Sequence, residues 1–490
     1  MPLYTPADTL VLLPAIVLVL FASAILVLDV LGSQTLAGRR MPVVFGLVGL
    51  VITGASLVRQ WFAMNGRTLP EFTAAQGSIT LDGIAFFSNA VVHGATVLLF
   101  LTSYRFLDLN GQQRSEYYSM ALIAQAGMYI MATASELVTL ALGIELTAVT
   151  LYILVGFIRA DRRSNEAALK YLLLGAVSSG FLLYGFSLLY GVAGSTKLDS
   201  IATAVQERGN HDSFVVVAVI TVIVGLFFKI AAVPFHTWAP DAYDGAPTPI
   251  TAYLAVASKV AAFAVLLRLL TLVLSSARPV WEPLLVVAAV ASITIGSFAA
   301  LTQERLKRFF AYSSIAHVGY ILFGLIAGTD SGLKGVYLYL LVYAVMNLGA
   351  FAILTSLHRG GITGEKLRDL RGLSNTHPTH AALFVVLLLS LAGLPPTAGF
   401  LAKYYIFFAL IETGHFTLAI LSVFYVAIGL YFYFRLVREM YMKDAERDEP
   451  LATSVGLRLA LYTTTAVTLL VGLFPEPVLR FGFQLTGVTR

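Results

Sequence analysis

The 490-residue chain has no cysteine, which excludes disulfides, Cys-ligated zinc, iron–sulfur clusters and thiol chemistry from it. Charge is scarce too: Asp, Glu, Lys and Arg make up 12% of the residues, where soluble domains carry about 25%. The net charge of +5 is small and scattered, with no patch suited to nucleic acid. GVAGSTK at 191–197 is a loop without the strand–turn–helix setting of a dinucleotide fingerprint. No serine lies in a G-x-S-x-G context. HTWAPD at 236–241 mixes a histidine and an aspartate, but prolines on both sides predict no regular helical face to hold a metal. The opening MPLYTPADTL lacks a basic leader and a small-residue cleavage site, so no removable signal peptide is expected. What is present is apolar: 58% hydrophobic residues and a mean hydropathy of +0.83. Such a chain cannot cover a water-facing surface, and its solvent is lipid.

A spanning helix needs about 20 mostly apolar residues. Fourteen runs qualify, starting near Leu10, Pro42, Ile84, Tyr118, Leu137, Ala167, Phe214, Thr248, Trp281, Phe309, Gly335, Ala381, Thr417 and Val455. The expected fold is an all-α polytopic membrane protein of fourteen transmembrane helices. Lys and Arg in short loops face the cytoplasm. With the N-terminus outside, cytoplasmic loops hold 19 of them, including Arg39, Arg163, Arg305, Arg359, Arg371 and Arg447. The opposite side holds 8: Arg59, Arg67, Lys197, Arg208, Arg278, Lys334, Arg480 and Arg490. Both termini are therefore expected on the non-cytoplasmic side. LDSIATAVQERG, within the polar stretch 193–213, predicts a short amphipathic helix at the surface.

Five basic residues remain inside spans: Lys170, Lys229, Lys259, Arg268 and Lys403. Each mid-bilayer charge costs roughly 2.5–3.5 kcal/mol on insertion scales and wants a reason. Lys170 and Arg268 lie near span ends and are expected to snorkel to water. Lys229, Lys259 and Lys403 are too deep for that. Glu145 sits mid-span in ALGIELTAVTLYIL, and a compensated pair with a buried lysine is expected. Burial disfavours the charged form of both residue types while pairing restores it. Moving one partner then switches the other between charged and neutral, as a proton relay requires; stapling of helices is the plainer alternative. His317 is central in AYSSIAHVGYILFG, with Ser313, Ser314 and Tyr320 nearby, and reads as a relay group. His93, beside Gly94 with no polar cluster near it in sequence, reads as packing.

Span 7, VGLFFKIAAVPFHTWAP, places Lys229 before Pro234; span 12, LLLSLAGLPPTAGFLAKYYIFF, places Lys403 after Pro395 and Pro396. Proline removes a donor and clashes with the preceding turn, so both helices are expected to break. In lipid such breaks survive only where they face protein or a hydrated cavity. Two broken helices in corresponding halves form the pattern of inverted-repeat transporters. Four regions follow: spans 1–3 (1–116), a five-helix repeat of spans 4–8 (117–275), its inverted mate of spans 9–13 (276–441), and span 14 (442–490). In that scheme Glu145 corresponds to His317 and Lys229 to Lys403. Lys259 has no charged counterpart in span 13, which offers Tyr425, Tyr431 and Tyr433.

FKIAAVPFHTWAPDAYDGAPTPITAYLAVASK (228–259) closely resembles the antiporter-like membrane subunits of respiratory complex I. The resemblance extends through QERLKRFFAYSSIAHVGY (303–320) and LAGLPPTAGFLAKYY (391–405), and covers essentially the whole chain. The form DAYDGAPTPITAYLAVASK is most similar to the N-type subunit of bacterial NADH:quinone oxidoreductase. About fifteen residues follow span 14, too few for the lateral helix of the L-type sister, and Lys403 stands where the M-type sister has Glu. The resemblance implies proton translocation through Glu145, Lys229, Lys259 and Lys403, with His317 at the span-10 relay position. It also implies NADH, FMN, iron–sulfur clusters and quinone in partner subunits, none in this chain, and a place among other membrane-arm subunits in the bacterial inner membrane. A subunit of a multi-subunit sodium/proton antiporter, or a non-conducting assembly scaffold, are the alternatives.

Overall fold

The structure, a computed structural model, describes residues 6–31, 36–64, 72–358, 364–446 and 451–478. Of the loop charges above, Arg67, Arg359, Arg447, Arg480 and Arg490 lie outside these residues, as does the side chain of Arg39. The chain is almost wholly helical, because a lipid-facing backbone must satisfy its own hydrogen bonds. Three helices lead: α1 (Pro6–Leu31), α2 (Leu36–Met64) and α3 (Gly83–Leu109). Between α2 and α3 stands a hairpin of β1 (Phe72–Ala74) and β2 (Ile79–Leu81), which the sequence reading did not anticipate. Strands of three residues are too short to show an alternation. Asp8 of α1 ties the hairpin down by accepting from the Ala75 amide at 2.6 Å.

Next come α4 (Ser115–Thr133), α5 (Leu137–Val155), α6 (Arg162–Ala193), the surface helix α7 (Leu198–Arg208), and the pair α8 (Ser213–Ile230) and α9 (Trp238–Gly245). α10 (Thr248–Arg268) follows. The amphipathic α7 is where the pattern predicted it, with Leu198, Ile201 and Val205 inward. The second half holds α11 (Arg278–Thr302), α12 (Leu306–Ala327), α13 (Asp330–Ser356) and the one-turn α14 (Leu373–Thr376). The pair α15 (Pro378–Ala392) and α16 (Ala398–Glu412), then α17 (Phe416–Met442) and α18 (Val455–Leu473), complete it. Side-chain caps start several helices: Asp82, Asp161, Asp212, Thr329 and Ser454 each accept from an amide of the first turn. Each is worth about 1 kcal/mol.

Among the described residues twelve helices are long and apolar enough to cross a membrane. The fourteen-span reading adds α4 and the broken pair α15–α16. Both predicted breaks are present, at Val233–Pro234 and Pro395–Pro396, each with a cis peptide bond. Pro240 differs from expectation. It lies in the first turn of α9, where a missing amide hydrogen costs nothing, so 238–245 is helical after all.

The molecule exposes apolar side chains and buries polar ones among its helices. Leu20, Phe62, Val177, Phe416 and Ile420 point outward. In water such a surface would be an interaction site; here it suits lipid or neighbouring apolar helices. Every residue of α10 is buried, and α12 and α13 are nearly as enclosed. Buried on these three central helices are Lys259, Arg268, His317, Tyr339 and Tyr343.

Candidate functional site

The first half brings Glu145 of α5 and Lys229 of α8 to opposite sides of Ser179 on α6. Ser179 Oγ donates to Glu145 Oε1 at 2.5 Å, and Lys229 Nζ donates to Ser179 Oγ at 3.4 Å. The expected pair is thus bridged by a hydroxyl rather than direct, because α6 packs between α5 and α8. Lys229 lies in the last turn of α8, at its negative end. Beyond it Ala231 turns the chain with φ 58°, and the Trp238 indole of α9 donates to Phe228 O at 3.0 Å. Ring contacts continue from Trp238 to Tyr243 at 6.5 Å, and the Lys259 ammonium lies 5.9 Å from the Tyr243 ring centre.

Lys259, on α10, is 2% exposed and donates to Ser314 Oγ of α12. Ser314 is 2.5 Å from the Tyr343 hydroxyl of α13, which donates onward to Ala255 O at 3.1 Å. A carbonyl only accepts, so the direction is set: lysine to serine to tyrosine to backbone. One turn along α12, His317 is hydrogen-bonded on both ring nitrogens. Nδ1 is 2.7 Å from the Tyr339 hydroxyl, and Nε2 is 3.1 Å from that of Tyr433, which also bonds Ser313. A neutral imidazole donates through one nitrogen and accepts through the other, so moving its proton reverses both bonds. The His317 and Tyr343 rings are 5.4 Å apart, which joins this group to that of Lys259.

Lys403, on α16, reaches back across the second break. Its ammonium donates to Leu391 O at 3.1 Å and Ala392 O at 2.8 Å, the last carbonyls of α15. It also lies 4.8 Å from the centre of the Tyr320 ring, which stacks on Tyr339. Hydrogen bonds to a charged group are worth about 1.5–3 kcal/mol each, enough to offset the roughly 2.5–3.5 kcal/mol insertion cost. Gly393 makes the approach possible. Its φ is 88°, and a Cβ there would lie 2.7 Å from Lys403 Cδ.

At the basic end of the bundle Glu365 joins three cations: Lys307 at 2.7 Å, Arg305 at 2.9 Å and Arg163 at 3.0 Å. Burial opposes ionisation of Glu365, but Lys307 and then Arg163 overcome it and hold the carboxyl below its usual range. Arg305 pairs with Asp244 at 2.6 Å, and Asp241 takes Arg308 at 2.6 Å and Lys170 at 3.1 Å. This network pins α9 to α6 and α12.

Lys170 therefore does reach a polar edge, as expected, but Arg268 does not snorkel. It is 4% exposed and clamps Asp82 with two nitrogens at 2.8 and 2.9 Å, and it also donates to Ala132 O. His93 has a polar partner after all, Gln125 of α4, 3.0 Å from its Nδ1. Sequence reasoning missed Ser179, Tyr243, Trp238, Tyr339 and Tyr343. The one available signal was the spacing of Tyr339 and Tyr343, which puts both hydroxyls on one face of α13. Among the described residues no cluster of three His, Asp or Glu side chains is placed to hold a metal.

Residues 134–429 match the family model described as NADH:quinone oxidoreductase/Mrp antiporter, TM. A curated relative from Solibacter usitatus, named NADH-quinone oxidoreductase subunit N 2, is 51% identical over 97% of each chain. A chain of respiratory complex I from Thermus thermophilus is 30% identical with a TM-score of 0.80, covering 95% of this chain and 98% of that one. A chain of the Mrp complex from Dietzia sp. has a TM-score of 0.84 at 21% identity, over 98% of this chain and 97% of that one, a likeness of fold. The family's shared fold, the two broken helices and the lysines set against them here agree with one assignment: this chain belongs to the NADH:quinone oxidoreductase/Mrp antiporter membrane family, among its NADH-quinone oxidoreductase subunit N members.

Proposed function

We propose that this chain is a proton-translocating membrane-arm subunit of an NADH:quinone oxidoreductase, moving charge while partner subunits oxidise NADH and reduce quinone. The observation that carries the reading is the buried run of hydrogen bonds and ring contacts from Lys259 through Ser314, Tyr343, His317, Tyr339 and Tyr320 to Lys403. In this reading Lys259 receives a proton from the cytoplasmic side, the chain of hydroxyls and His317 passes it along the midplane, and Lys403 releases it. The Glu145–Ser179–Lys229 bridge opens or closes, and so changes how tightly Lys259 holds its proton. FMN, iron–sulfur clusters and quinone belong to partner subunits.

The topology that goes with this function has fourteen spans and two inverted repeats, with the end bearing Arg163 and Glu365 cytoplasmic and both termini on the other side. The chain has no cysteine of its own, so single cysteines report cleanly. Placed at Arg163 or Arg371 they should label only from the cytoplasm, and at Asn210 only from outside. Labelling of the Arg371 site from outside would break the scheme.

Function is tested in the whole complex reconstituted in vesicles. Lys259→Met should leave assembly and NADH oxidation by an artificial acceptor normal, while quinone-linked turnover and proton uptake collapse together. Full pumping by that variant would refute the relay. The fold shared with the Mrp chain favours a second reading, a subunit of a multi-subunit sodium/proton antiporter. Co-purification separates the two: flavin and iron–sulfur proteins accompany the first, only further membrane subunits the second.

A further inference from the structure

The relay needs a group on the cytoplasmic side of Lys259, and α9 is the element in that position. α9 has two unlike faces. Asp241, Asp244 and Gly245 share one, on a polar cavity of about 230 Å³ whose charged lining is Arg163, Glu166, Lys170, Asp241, Asp244 and Arg308. The cavity thus meets three cations with three carboxylates, and a balanced polar lining of this size holds several waters. Tyr243 projects from the opposite face of the same two turns. It is fully buried, its ring faces the Lys259 ammonium, and its hydroxyl is turned toward Ser314 Oγ, the atom to which Lys259 itself donates, without closing a hydrogen bond in this arrangement. An unpartnered buried hydroxyl costs about 1–3 kcal/mol. The ring alone would fill the space, so packing gives no reason for the oxygen.

We propose that the Tyr243 hydroxyl is the proton-transfer contact of Lys259 on its cytoplasmic side, with α9 standing between the charged cavity and the relay. This rests on the proton-translocating reading above. A tyrosine hydroxyl both accepts and donates. Its oxygen takes the extra proton of a hydronium arriving from the cavity side, which is left as neutral water, as its own O–H proton passes by way of Ser314 to the lone pair of neutral Lys259. Lysine becomes ammonium, tyrosine stays a neutral hydroxyl, and rotation about the C–O bond resets it. The ion pairs of Asp241 and Asp244 with α6 and α12 hold α9, and so Tyr243, in register with Lys259.

The test is Tyr243→Phe in the intact complex, with Tyr243→Leu and Lys259→Met beside it. Phe removes one unpartnered oxygen and keeps the ring, so assembly and artificial-acceptor NADH oxidation should be normal. Quinone-linked turnover and proton uptake should fall about tenfold or more. The solvent deuterium isotope effect on turnover should rise as proton delivery becomes limiting. If Phe behaves as wild type in rate and isotope effect while Leu is impaired, Tyr243 only packs and the proposal fails, with the relay itself intact as long as Lys259→Met is inactive. Wild-type pumping by Lys259→Met would overturn both.

Discussion

At the first break a carbonyl at the end of the leading half-helix, that of Phe228, is taken by the Trp238 indole; at the second, those of Leu391 and Ala392 are taken by the Lys403 ammonium. Each lysine thus lies at the negative end of a half-helix, but on different sides of the gap. Lys229 precedes its break and leans away from it, toward Ser179 and Glu145. Lys403 follows its break and is held by it. The difference teaches that a broken helix with a lysine is not one device. Where another donor satisfies the backbone, the lysine's charge state can follow a movable carboxylate. Where the lysine itself satisfies the backbone, losing its proton weakens the bonds that hold it, so release is coupled to movement at the break.

The largest effect should come from Lys403→Met, which removes the proton carrier and leaves two carbonyls without their donor. Quinone-linked turnover and vesicle proton uptake should fall tenfold or more in assembled complex, since general acid–base groups contribute about 10²–10⁴-fold. Lys403→Arg should fail as well, because guanidinium does not release its proton at these pH values. If both variants pump normally, Lys403 is not on the path. Ser179→Ala should act next in size and only on the first half. It cuts Lys229 from Glu145 without removing a charge, so turnover should drop several-fold, less than for Glu145→Ala. Equal rates for Ser179→Ala and wild type would show the bridge to be incidental.

Stability measurements sharpen the same contrast. Gly393→Ala puts a side chain at φ 88° against Lys403 and should cost about 1–3 kcal/mol, read as a lower thermal midpoint. Ala231→Gly, at φ 58° in the first break, should be neutral or stabilising by up to about 1 kcal/mol. Smallest at neutral pH is the tie between halves at Glu365. Its folded carboxyl lies below the ordinary value near 4.5, so its contribution is complete above that pH and is lost as pH falls through the lower folded value. Thermal midpoints of Glu365→Gln and wild type should therefore converge only in acid. Convergence already at pH 6 would contradict the assignment.

Glu145, Lys229, Lys259, His317 and Lys403 were legible because an ionisable group within an apolar run is costly and stands out. Their connections were not. Ser179, Tyr339 and Tyr343 are ordinary helix residues until neighbouring helices bring a lysine, a histidine and a carboxylate to them. Arg268 was misread for a related reason: near a span end snorkelling is the default, and its partner Asp82 is 186 positions away. The breaks at Pro234 and Pro395–Pro396 were visible from proline chemistry, whereas Pro240 depended on where α9 begins.

The clamp between Arg268 and Asp82 bears on how this chain can be shortened. The three leading helices lie outside both proposed repeats and resemble an extension open to trimming by a lineage or a designer. Asp82, though, caps the last of them and is the counter-ion for a guanidinium on the most enclosed helix of the molecule. A chain restarted at α4 would inherit that cation uncompensated, at a cost on the order of 3–5 kcal/mol. Loss of the leading helices and loss of the arginine should therefore travel together, and the residue at position 268 becomes a marker of whether they are present.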